Sequence, residues 1–109
     1  MVDLTKTEDK ISELETFFSE LVSNPDNVNT TSTGAGIEYG LECALGMKKA
    51  LSSYKKKPTN KDLKNIYYGF TAISRGVESF VDYDLEMRFR DVCKGTYSIQ
   101  EDLEKHIKW

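Results

Sequence analysis

Helices alone, packed as a compact antiparallel bundle of four to five, are what the amino-acid sequence predicts, in a single all-α domain spanning residues 1–109. Apolar side chains recur three and four residues apart through three long segments, which gathers them on one side of a 3.6-residue helix. No period-two alternation runs far enough for a strand. Between the periodic segments lie stretches rich in Asn, Asp, Pro, Ser and Gly, which turn a chain rather than continue a helix. A chain of 109 residues holds one self-sufficient core and is too short for two ordinary domains. With 39% apolar and 30% charged residues it falls in the globular range, away from compositions that stay disordered.

The first helix is expected from about Lys6 to Val22, with Ile11, Leu14, Phe17, Phe18, Leu21 and Val22 as its apolar stripe. Thr5-Lys6-Thr7-Glu8 reads as a capping box that starts it. Ser23 to Thr33 is the longest expected loop. A second helix starts near Gly34 to Gly36 and ends around Lys55, burying Ile37, Leu41, Ala44, Leu45, Met47, Leu51 and Tyr54. Lys55, Lys56 and Lys57 complement its dipole, and Pro58 stops it.

Thr59 or Asn60 caps the third helix, whose apolar face is Leu63, Ile66, Tyr67, Phe70, Ile73, Val77, Phe80 and Val81. The spacing persists through Leu85, Phe89 and Val92, either in one continuous helix or in a separate one capped by Asp82 or Asp84. Lys94-Gly95 reads as a C-terminal stop with glycine free to take positive φ. Ser98 to Glu101 is a second capping box, opening a short last helix that carries Leu103 and Ile107.

Small residues line two helix faces: Gly36, Gly40 and Ala44, and Gly69, Ala72 and Gly76. Each interior glycine costs about 1 kcal/mol relative to alanine, so this many implies a packing use. A close contact within the chain is the first reading, and an interface between two copies the alternative. Two charges sit where an apolar residue is expected: Lys48, near the middle of the second helix's apolar arc, and Asp84. A hairpin turning at residues 56 to 59 sets residue 48 opposite residue 68, too far from Asp84 for a mutual salt bridge. Lys48 therefore meets Tyr67, Tyr68 or a carboxylate of the first helix such as Glu13, Glu15 or Glu20.

The residues do not assemble a recognisable catalytic, metal or cofactor site. Cys43 and Cys93 lack CxxC spacing, and the single histidine, His106, cannot complete a zinc set. Thr31 to Gly36 precedes a helix as an anion loop would, but lacks the lysine and strand of a phosphate-binding loop. Asp82 to Glu86 begins like a calcium loop, yet Met87 and Cys93 stand where glycine and glutamate are required. Glu38 and Glu42, like Glu78 and Asp82, share a helix face without the histidines of a di-metal bundle. A perturbed amine at Lys48 is the one enzymatic alternative.

Charge is distributed unevenly. Residues 1–45 sum to -7, residues 46–76 to +7 and residues 77–109 to -3. The expected function is a non-catalytic protein-binding module, of the small-inhibitor, immunity-type or adaptor kind, with Glu8, Asp9, Glu13 and Glu20 facing another protein. The alternative is a nucleic-acid-associated protein gripping phosphates with Lys55, Lys56, Lys57, Lys61 and Lys64, flanked by Tyr54 and Tyr68. An overall pI near 5.2 and the lack of an evident stacking platform weigh against it. Opposite charges neutralising each other inside the fold is a third outcome. No segment has the roughly 20 apolar residues of a membrane span, and the charged Met1 to Lys10 is unlike a signal peptide, so cytoplasmic residence is expected.

Overall fold

The computed structural model describes residues 2–24, 36–76 and 83–109. Among these, five helices follow in order: α1 (Thr5–Ser23), α2 (Gly36–Lys56), α3 (Asn60–Gly76), α4 (Tyr83–Val92) and α5 (Thr96–Glu104). They stand as four columns. Ion pairs Glu8–Lys55 and Glu15–Lys48 set α1 antiparallel to α2. The turn at Lys57 to Thr59 reverses the chain again, bringing Gly69 of α3 over Met47 of α2. The fourth column is α4 followed by α5. Phe89 packs on Phe17 and Phe18, Val92 accepts a hydrogen bond from Lys10, and Ile99 and Leu103 face Lys6 and Thr7. It thus runs antiparallel to α1 over most of its length, interrupted by the turn that Gly95 makes with φ +86°. The expectation of four helices or five is met in this sense: four columns, the last in two pieces.

The core is the set of side chains at helical spacing on each column. Ile11, Leu14, Phe18, Met47, Ile66, Ile73 and Leu103 are its largest fully enclosed members. The small-residue faces are used within the chain. A methyl group at Gly40 would overlap the Phe18 ring, and one at Gly69 would overlap the Met47 side chain, so both glycines let neighbouring columns approach.

Several local expectations are corrected. Thr5 does not cap α1: Asp3, two residues earlier, accepts hydrogen bonds from the Thr5 amide and hydroxyl at 3.0 and 2.8 Å. These bonds hold the Asp3 carboxyl below its usual range. The last helix opens at Thr96, behind the Gly95 turn, so Ser98 lies inside it and caps nothing. Thr59, by contrast, does cap α3, accepting from the Asp62 amide at 3.2 Å. Val22, placed in the apolar stripe of α1, is exposed at the helix end.

On α2 the buried arc is Gly36, Ile37, Gly40, Ala44, Met47, Ala50, Leu51 and Tyr54, while Leu41 is half-buried and Leu45 is 45% exposed. Weighting positions by oiliness alone rotates that face by about an eighth of a turn, because two buried positions are glycines and one leucine is outside. Lys48 consequently sits on the rim and not mid-arc. It is 58% exposed and pairs with Glu15 at 3.1 Å, the α1 carboxylate among the partners expected for it. An exposed pair of this kind contributes little, so Lys48→Met should change the unfolding free energy by no more than about 0.5 kcal/mol in a urea melt.

Asp84 lies exposed in the first turn of α4, where a carboxylate favours the helix dipole. Asp82, Glu78, Val77, Phe80 and Val81 fall outside the described residues, as do residues 25–33 of the expected loop and most of the Thr31 to Gly36 segment. No described helix is long and apolar enough to cross a membrane.

Candidate functional site

The sequence suggested that α1 offers its carboxylates to a partner, and the fold divides them into two stripes. Glu8 and Glu15, seven residues apart, face α2 and are taken up by Lys55 at 2.7 Å and Lys48 at 3.1 Å. Part of the charge asymmetry is thereby neutralised inside the chain. Asp9, Glu13 and Glu20, four and seven residues apart, lie on another stripe, turned away from α2. Glu13 is shared with Lys10 at 2.8 Å; Asp9 and Glu20 form no ion pair among the described residues.

Lys10 explains how this stripe meets α4. Its side chain is 13% exposed and reaches across from α1 to donate to the Val92 carbonyl at the end of α4, at 2.9 Å. A lysine there satisfies a terminal carbonyl and complements the negative end of the helix dipole. Beside it an open groove of about 440 Å³ is lined by Ser12, Glu13, Thr16, Phe17, Glu20 and Val92. Its floor is apolar, and carboxylates stand two turns apart along its edge. Arg88 lies over the Phe17 ring at 5.9 Å.

The lysines chosen from sequence differ in their surroundings. Lys55 is tied to Glu8, whereas Lys56, Lys57 and Lys61 are exposed and Lys64 half-buried without ion pairs among the described residues. Tyr54, expected beside them, is 4% exposed and belongs to the core.

Sequence reasoning missed the aromatic group on α3. Tyr67, Tyr68 and Trp109 meet edge to face with centroids 5.2 to 5.9 Å apart, and Tyr68 and Trp109 remain 52% and 62% exposed. The C-terminal segment is held there by Asn60, whose side chain donates to the Lys108 carbonyl at 2.8 Å and accepts from its amide at 2.7 Å. Gln100 adds bonds to the Tyr67 carbonyl and the Thr71 hydroxyl. The Tyr67 hydroxyl donates to Glu104 at 3.0 Å, and that bond raises its pKa above the ordinary phenol value. The available signal was the Tyr67-Tyr68 doublet one turn after Lys64, but only the fold joins it to Trp109.

The cysteines show no sign of activation. Burial pushes the Cys93 thiol up to about 11 and raises Cys43 as well, so each is less a thiolate than a free cysteine. Cys93 should consequently react with a water-soluble disulfide reagent at pH 8 roughly a hundredfold more slowly than after unfolding. Labelling of both states followed by peptide mass mapping checks this. Among the described residues no three of His, Cys, Asp and Glu converge as metal ligands would. No protein-family model matches the chain, nor does any curated protein or solved structure.

Proposed function

We propose that the chain is a non-catalytic binding module that receives a basic segment of another protein in the groove between α1 and α4. The observation that carries this reading is the sorting of α1's carboxylates. Those facing α2 are paired with lysines of that helix, while Glu20 and Glu13, the latter shared with Lys10, line a groove floored by Phe17 and Val92, with Asp9 one turn further along the same stripe. An apolar floor supplies affinity on desolvation, and an edge of one charge sign selects partners and speeds encounter. Small inhibitors, immunity-type proteins and adaptor subunits work through surfaces of this kind, an analogy of architecture and not of ancestry.

The test is retention from a nuclease-treated extract of the source cells on immobilised wild-type chain and on the triple variant Asp9→Lys, Glu13→Lys, Glu20→Lys. Circular dichroism first establishes that the variant is folded. A protein held by the wild type, lost on the variant and released at about 1 M salt, where the screening length is about 3 Å, is the expected result. Equal retention on both columns would sink the reading.

A further inference from the structure

We infer that the solvent stripe of α3, extended by Trp109, binds single-stranded nucleic acid. Lys61, Lys64, Tyr68 and Arg75 are three, four and seven residues apart, which aligns them along about 21 Å of one helix side. Lys61, Tyr68 and Arg75 are exposed, and none of the three cations has an ion pair among the described residues. The one acid of α3, Asp62, is buried on the other side of the helix. The stripe therefore carries a single sign of charge, although the whole chain is acidic.

In the middle of that track stand exposed rings. Tyr68 and Trp109 each retain more than half of their surface, and Asn60 holds the tail that carries Trp109 in place. Lysines and an arginine supply counter-charges for phosphates, and rings between them offer flat surfaces to unpaired bases. A strand whose bases are free satisfies both features at once. A duplex hides its base faces, and an acidic peptide brings charge without a ladder of flat rings. Glu104 borders the site at Tyr67, where the hydroxyl bond to its carboxylate occupies it. This surface is distinct from the groove on α1, so either reading stands without the other.

The experiment titrates the full chain into fluorescently labelled oligothymidylate and oligouridylate of about 12 nucleotides, within the site sizes common for such binders. Anisotropy reads binding, and emission from the chain's one tryptophan reads contact at Trp109. Saturable binding with quenching of Trp109 is expected, weakening about 20-fold between about 50 and about 200 mM salt if three phosphates are neutralised. Tyr68→Ala should weaken it about tenfold through lost stacking. The pair Lys64→Glu with Arg75→Glu should abolish it, whereas the α1 triple variant should bind as wild type.

Absence of binding at low salt overturns the inference. So does binding that Tyr68→Ala leaves unchanged, or equal affinity for a duplex of the same length. Should Tyr68→Ala instead strip a protein from the set retained from nuclease-treated extract while oligonucleotides fail to bind, the stripe is a protein interface and the inference falls.

Discussion

Phe18→Ala should lower the unfolding free energy by about 3 to 5 kcal/mol, the usual cost of emptying a buried phenylalanine site. The ring is fully enclosed and shared by three columns: it rests on Gly40 of α2, meets Phe17 edge-on at 5.2 Å and meets Phe89 of α4 at 5.9 Å. Gly40 has no side chain that could swing into the space, so the cavity should stay open. Against the roughly 5 to 15 kcal/mol that stabilise an ordinary domain, this is a large fraction, and the urea midpoint should fall accordingly. Gly40→Ala supplies the complementary measurement. Overpacking against the ring costs about 1 to 3 kcal/mol, offset by about 1 kcal/mol of improved helix propensity. With Phe18 already reduced to alanine the clash is gone, and Gly40→Ala should become neutral or stabilising. The double-mutant cycle should therefore show a coupling above about 1 kcal/mol. Strict additivity would mean that the ring and the glycine do not meet.

Much of this fold is legible in the sequence because it rests on the 3.6-residue recurrence of apolar side chains. Ile11, Leu14, Phe17, Phe18 and Leu21 are all buried, as are Leu63, Ile66, Phe70 and Ile73. The same recurrence misleads on α2, where glycine and alanine fill the contact positions and Leu45 faces outward. Close packing there is a property of paired helices, and one helix read alone does not reveal which side its neighbour takes. Capping failed for a related reason. Asp3 accepts from the Thr5 amide where Thr5 is expected to cap, and the last helix opens behind the Gly95 turn without a side-chain cap, since several polar residues near a helix start compete and backbone geometry decides where the helix begins.

The candidate surfaces were legible only in part. The separation of Glu8 and Glu15 from Asp9, Glu13 and Glu20 is implicit in their spacing, but which stripe is consumed depends on the lysines of α2. The aromatic group joins residues some forty positions apart in the chain and required α5 to continue the fourth column past the Gly95 turn, alongside α3.

That continuation makes α5 the support of the aromatic surface, and Leu103→Ala should reveal it. Leu103 is 1% exposed and anchors α5 in the core beside Ile99. Truncating it should cost about 2 to 5 kcal/mol. The loss should not be spread evenly, because α5 and the tail are the last elements of the fourth column and have fewer neighbours than α2 or α3. Trp109 should lose its fixed seat against Tyr67 and Tyr68, seen as a fall in its fluorescence anisotropy at denaturant concentrations where α1 to α3 remain helical by circular dichroism. Asn60→Ala isolates the local part. It removes both hydrogen bonds to Lys108, so Trp109 should gain mobility, while global stability falls by only about 1 kcal/mol because the bonds are exposed. If Leu103→Ala leaves Trp109 as rigid as in the wild type, the tail is held by its own aromatic contacts and α5 is not what positions it.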